Sequence, residues 1–377
     1  MSTDVRPEPD RILGAPHPLE TQVLLGQDAA EAAFLDAFNG GRLHHAWLIT
    51  GPQGVGKSTL AWRIARFLLA TPPVTGGGMF DDLPTAVQNL DIDPDHPVAH
   101  RLAARSEPGL FSLKRPVNEK TGQLRQEITV DEVRKMRNFF ALSATDGGRR
   151  VVIVDSADEL NVNAANALLK QLEEPPENAI LLLISHQPSR LLPTIRSRCR
   201  ELRCNSLSPE VISNALRAAG EEDIQHPTEL AELADGSVGG ALQLIHLDGV
   251  KTYQRLITLF AGLPRVDQQL AIALTASVIG KGKEPQLDLL VSLLDLFLAR
   301  TARAGIMGPP QIEASPGEAA LLQRLSPNSY AARLWAGLQQ ESGARIRHGR
   351  AVNLDPAALL LDMVFKINET AAKTAAR

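Results

Sequence analysis

Short apolar runs alternate with amphipathic stretches over roughly the first two hundred residues, and only the amphipathic stretches continue beyond them. Leu24 to Phe38 places Leu25, Ala29, Ala33, Phe34, Ala37 and Phe38 at helical spacing, and the glycines of Asn39 to Arg42 end that helix. Ala46 to Thr50 (AWLIT) has the pattern of a buried strand. After a glycine-rich turn, Ser58 to Leu69 sets Leu60, Ile64, Phe67 and Leu68 on one helical face, and the prolines and glycines of Thr71 to Gly78 break it. Thr129 to Phe140 reads as a helix opened by a Thr129/Glu132 capping box. Gly147 and Gly148 make a turn into Val151 to Val154, a β-branched run of the kind buried on both faces of a parallel sheet. Asn163 to Leu172 is a helix that stops at Glu173–Pro176, and Ile180 to Ile184 is another strand. This alternation predicts an α/β fold: a parallel sheet with helices on both faces.

Past residue 204 strand-like runs disappear. Pro209–Ala219, Thr228–Ala234, Val238–Leu247 and Leu287–Ala302 read as amphipathic helices, with connections at Pro264 and Gly280–Pro285. The expected organisation is an α/β domain at 19–204, a small helical domain at 205–265 and a second helical domain at 266–377. The polar, proline-rich residues 1–18 are expected to be a disordered arm. Residues 79–127 carry little pattern. Asp91, Asp93 and Asp95 alternate there but lack the glycine and closing glutamate of a calcium loop, so a solvated loop is the expectation, with a turn at Lys120–Gly122.

Composition narrows the function. A length of 377 residues suits two or three domains, and 44% hydrophobic with 22% charged residues is a globular composition. A net charge of −4 gives no bulk grip on nucleic acid, so DNA contact would be local or shared with partners. Arg134, Lys135 and Arg137 form a basic cluster on a predicted helix, for which a solvated face is the commoner reading. Neither a signal peptide nor a long apolar span is present, and a cytoplasmic protein without membrane contact is expected. The two cysteines, Cys199 and Cys204, cannot make a four-ligand zinc site and read as idle thiols.

Gly51-Pro-Gln-Gly54-Val-Gly56-Lys57-Ser58 is a complete phosphate-binding loop, placed between a predicted strand and helix. Its glycines let backbone N–H groups face a phosphate chain, helped by the positive end of the helix. Lys57 suits the β- and γ-phosphates, Ser58 suits Mg²⁺, and Thr59 completes the set. Asp155 ends the Val151–Val154 strand, where it can orient Mg²⁺. ATP or ADP with Mg²⁺ is therefore the expected cofactor. The next residue is Ser156, whose neutral hydroxyl is a poor base. Asp158 and Glu159 lie beyond the strand end and are expected to face away from the γ-phosphate.

Three further stretches carry a family resemblance. Leu25-Gly26-Gln27, with Gly41-Arg42-Leu-His44-His45-Ala46-Trp47 leading into the loop, resembles the opening of bacterial clamp-loader subunits of the AAA+ class. Asn163-Ala-Ala-Asn166-Ala-Leu-Leu169-Lys170-Gln-Leu-Glu173-Glu174-Pro175-Pro176 is similar to that family's helix after the Walker B acid. Thr194-Ile-Arg-Ser197-Arg198-Cys199 carries its SRC motif, and the likeness covers about residues 20 to 245.

The resemblance implies an AAA+ P-loop sheet, a helical lid at 205–265 and a helical oligomerisation collar at 266–377. It implies that Arg198 acts in trans, as an arginine finger on ATP bound by a neighbouring subunit. AAA+ hydrolases usually place a glutamate after the Walker B Asp, where this chain has Ser156. Gly239 stands where hydrolysing relatives have the sensor 2 arginine, Ser185-His186 replaces a sensor 1 threonine, and the relatives' four-cysteine zinc module is missing, so no zinc site is expected. These departures, with the absence of a long tail, resemble a non-motor subunit more than the ATP-hydrolysing tau/gamma motor. Implied partners are delta, tau/gamma and, through the complex, the sliding clamp and primed DNA. The alternatives are a tau/gamma-type motor, or an unrelated P-loop kinase or repair ATPase, for which no acceptor-substrate site is seen.

Overall fold

The computed structural model describes residues 8–12, 15–21, 23–71, 86–120, 122–141, 148–351 and 354–375. It divides into two compact units, one of residues 1–215 with 236–239 and the other of 216–235 with 240–377. The first unit contains α1 (Asp28–Asn39), β1 (Ala46–Thr50), α2 (Lys57–Ala70), α3 (Pro97–Ala103), β2 (Leu110–Lys114), α4 (Val130–Ala141), β3 (Arg150–Asp155), α5 (Val162–Glu173), β4 (Ala179–Ser185), α6 (Pro193–Arg196) and β5 (Arg200–Arg203). The division then falls within α7 (Pro209–Ala218).

The five strands lie in the order β2-β3-β4-β1-β5, and every pair is parallel. Because successive side chains leave a strand on opposite faces, each central strand contributes to two cores. Trp47, Ile49, Val151, Ile153, Leu182 and Ile184 face one way and pack with Phe34 of α1 and Leu60, Ile64 and Leu68 of α2. Ala46, Leu48, Val152, Val154, Leu181 and Leu183 face the other way and pack with Val133 and Met136 of α4, Leu168 and Leu172 of α5, and Ile195. Full burial on both faces is why β1, β3 and β4 have no polar alternation.

The sheet order brings β1, β3 and β4 side by side. Their carboxyl ends therefore present the phosphate loop, Asp155 and Ser185 together, the region where open parallel sheets place their ligands.

The second unit is helical: α8 (Pro227–Ala234), most of α9 (Val238–His246), α10 (Gly249–Ala261), α11 (Gln268–Ser277), α12 (Glu284–Met307), α13 (Glu318–Leu325), α14 (Ser329–Ala351) and α15 (Pro356–Ala375). Fully buried Tyr253, Phe260, Phe297 and Trp335 supply much of its aromatic core.

Two readings need adjustment. The described part of the 1–18 arm is pinned down: Asp10 and His17 are buried and 3.0 Å apart, and Arg66 of α2 donates to Leu19 O at 2.7 Å. The signal that anchors it is ionic and leaves no hydrophobic periodicity. Residues 1–7, 13 and 14 of that arm, like 72–78 and Gly147, lie outside the described residues. Within 79–127 the chain forms α3 and β2. Asp91 there pairs with Arg63 at 3.0 Å, and Gly122 turns at φ +68°, donating to Asn118 O at 2.8 Å.

Candidate functional site

The phosphate loop leaves β1 at Gly51 and enters α2 at Lys57. Gly51 has φ +141°, and a Cβ there would lie 2.2 Å from Cys204 O, so only glycine lets the loop start beside β5. Lys57 is 3% exposed, and its ammonium donates to Gly51 O at 2.8 Å and to Pro52 O. Burial pushes that ammonium down to about 8, which keeps most of it charged at neutral pH. Ser58 Oγ donates to Asp155 Oδ2 at 2.7 Å. Burial pushes the Asp155 carboxyl up to about 6, against the opposing effects of Ser58 and Lys57. Thr59 is half-buried in the first turn of α2. A hydroxyl and a carboxylate already side by side are hard oxygen donors of the kind Mg²⁺ takes together with nucleotide phosphates, so these residues fit the implied metal.

Beyond Asp155 the neighbouring polar groups are buried or engaged within the chain. Ser156 is 3% exposed, with a hydroxyl that has no hydrogen-bond partner among the described residues. Asp158 accepts from Ser185 Oγ at 2.7 Å, from Gln187 N–H at 3.4 Å and from His186 N–H. Its carboxylate thus ties the segment after β3 to the end of β4. Glu159 lies 2.8 Å from Arg115, and burial pushes its carboxyl up to about 7. His186 is pushed down to about 4, chiefly by burial and further by Lys57, so it is neutral at physiological pH.

Residues 236–239 lie directly on the phosphate loop. Gly239 N–H donates to Gly54 O at 3.0 Å, and Ser237 Oγ donates to Gln53 O at 2.9 Å. A Cβ on Gly239 would meet Ile12 Cδ1 at 2.5 Å and Gly54 Cα at 3.0 Å. A side chain at this position would press on Ile12 and on the loop backbone. Gly239→Arg is expected to lower stability by about 1–3 kcal/mol through overpacking and to confer no ATPase activity. Thermal denaturation and a turnover assay check both halves.

The sequence reading missed a second set of charges at this edge. Lys114 ends β2 in register with Asp155, and its ammonium lies 2.9 Å from Asp10. Burial alone would raise the Asp10 carboxyl, but His17 and Lys114 outweigh it and hold it below the usual carboxylate range. His17 Nδ1 accepts from Leu19 N–H at 3.0 Å, and its ring meets Trp62 of α2 edge-on. One acid among several in a proline-rich arm and a lysine at the end of an unrecognised strand give no joint signal.

Arg198 lies away from the loop, in the turn between α6 and β5, with its side chain 35% exposed. Cys199 and Cys204 are both free, and burial pushes their thiols up to about 12 and about 11. Arg134 and Lys135 make i,i+3 pairs with Asp131 and Glu132 on α4, as a solvated face does. Among the described residues no helix is long and apolar enough to cross a membrane.

A parallel sheet in this order, with the phosphate loop after β1 and an acid ending β3, is the P-loop fold of the AAA+ class. Residues 26–208 match the family described as DNA polymerase III, delta subunit. It is 40% identical over 215 residues to DNA polymerase III subunit delta' of Pseudomonas aeruginosa, covering 56% of this chain and 59% of that protein. It is 26% identical over 360 residues to subunit gamma/tau of Mycobacterium bovis, covering 85% of this chain and 57% of that protein. The chain therefore spans less than two thirds of the length of these relatives. Among solved structures, a gamma subunit-related protein of Thermotoga maritima aligns over 90% of this chain and 99% of its own, with 16% identity and a TM-score of 0.46.

Proposed function

We propose that this chain is a delta-prime-type subunit of the bacterial clamp loader, which helps place the sliding clamp on primed DNA. It serves a neighbour's ATP site and hydrolyses little or no ATP itself. The observation that carries this reading is a division of charge. Arg198 is partly exposed on the α/β domain, while the chain's own loop has Ser156 after the Walker B acid, Asp158 and Glu159 already engaged, and a backbone contact at Gly239. The 40% identity to a delta-prime subunit supports the same reading.

In this mechanism the helical residues 266–377 join the chain to delta and tau/gamma. Nucleotide phosphates would be held by the N–H groups of residues 54–58 and by Lys57. Mg²⁺, when bound, would supply charge neutralisation between phosphate oxygens, held by Ser58 and oriented by Asp155. Arg198 would reach across a subunit boundary to a phosphate that the motor subunit is cleaving. A guanidinium suits that task because its charge is permanent and its donors are fixed in one plane.

The purified chain is expected to bind ATP measurably and to turn it over at background rate. Lys57→Ala is expected to weaken binding by about tenfold or more, the loss of a buried charge-assisted contact, while leaving turnover at the same background. Calorimetry and a phosphate-release assay read the two quantities. Clear Lys57-dependent turnover would reject this proposal in favour of a tau/gamma-type motor.

A further inference from the structure

The proposed trans-acting arginine is held by its own subunit. Arg198 Nη2 donates to Glu173 Oε1 at 2.8 Å, and Nη1 donates to Thr194 O at 3.0 Å. Its backbone N–H donates to Ile195 O at 3.1 Å. Glu173 is the last residue of α5, and Thr194 lies in α6. Both helices are seated in one core through Leu168, Leu172 and Ile195, so both anchors are rigid. A guanidinium has five N–H groups. Two are used here, and with 35% of the side chain exposed an incoming phosphate can reach the others.

Glu173 stands at the negative end of α5, where the helix dipole disfavours a carboxylate. At 48% exposure its pairing with Arg198 is screened by water and adds little to stability. Screening also limits how far the carboxylate weakens the arginine's pull on a phosphate. What survives screening is orientation: an arginine already fixed at both Nη atoms loses less freedom when it meets its target.

We propose that Glu173 is a positioning residue for Arg198, which with the Thr194 carbonyl fixes the guanidinium for a phosphate bound on the neighbouring subunit. This rests on the trans-arginine reading above. The test compares reconstituted clamp-loader complexes carrying E173A, E173Q, R198A and the E173A/R198A pair. E173A is expected to lower kcat of the DNA-stimulated ATPase about three- to tenfold, with KM for ATP and the thermal midpoint unchanged. E173Q, whose amide oxygen still accepts from Nη2, is expected to keep at least half of the rate. E173A added to R198A is expected to cause no further loss. An impaired R198A with E173A at or above the unaltered rate would overturn the positioning role alone. R198A at the unaltered rate would instead overturn the trans-arginine reading, and the positioning role with it.

Discussion

Replacing Arg198 with alanine is expected to leave the clamp-loader complex assembled and to lower its DNA-stimulated ATPase about 10²- to 10³-fold. Trans-acting arginines in phosphoryl transfer supply factors of about 10³–10⁵. The lower figure is chosen because a guanidinium 35% exposed is partly screened by water. The substitution removes no core contact: Arg198 touches Glu173 and the Thr194 carbonyl at the surface, so stability of the isolated chain should change by less than about 0.5 kcal/mol. Arg198→Lys should restore only a small part of the rate, because an ammonium keeps the charge but loses the planar fork. Size-exclusion chromatography establishes assembly, and phosphate release with and without primed DNA reads the rate. An intact complex with unaltered turnover would remove Arg198 from the mechanism.

The sheet and its phosphate loop were legible because their signals are local. Ala46–Ile49, Val151–Val154 and Ile180–Ile184 are apolar throughout, and the structure extends each by only a residue or so at its ends. β5 (Arg200–Arg203) was not legible: it is an edge strand with three of its four residues exposed, so it has no hydrophobic run to find. β2 (Leu110–Lys114) is the opposite edge, and its half-buried side chains hid it within a polar segment. The same divide runs through the site. Gly51 to Ser58 is one continuous motif, whereas Asp10, His17 and Lys114 come together only after folding. The tie from Asp158 to Ser185 and His186 likewise needs β3 and β4 to be adjacent, which no spacing in the sequence states. The lost sensor arginine was read as an absence at Gly239. The structure adds that a side chain is disfavoured there, because a Cβ would meet Ile12 Cδ1 at 2.5 Å and Gly54 Cα at 3.0 Å.

In the helical unit, Arg300→Met is expected to destabilise by about 3–5 kcal/mol, because it strands a buried carboxylate. Glu318 is fully buried at the start of α13, where the helix dipole favours its charge. It accepts from Arg300 Nε at 2.7 Å and Nη2 at 3.1 Å, from Tyr253 Oη at 2.6 Å and from Ala314 N–H at 2.7 Å. Arg300 also reaches Glu232 of α8 at 3.2 Å. One carboxylate and one guanidinium therefore join α8, α10, α12 and α13. Burial and the adjacent Glu318 carboxylate together keep the Tyr253 hydroxyl protonated and donating. Tyr253→Phe removes one donor and should cost about 1–2 kcal/mol. The pair R300M/E318L should lose less than R300M alone, since no fully buried charge is then left unpaired and Glu232, 31% exposed, stays in contact with water. The chain has three tryptophans, and Trp335 is fully buried in this unit with Nε1 donating to Leu325 O at 2.9 Å. With Trp47 and Trp62 replaced by Phe, urea unfolding followed by Trp335 emission reports this unit by itself. Losses that simply add in the double variant would show that the two groups act independently and that the buried ion pair is not what joins these helices.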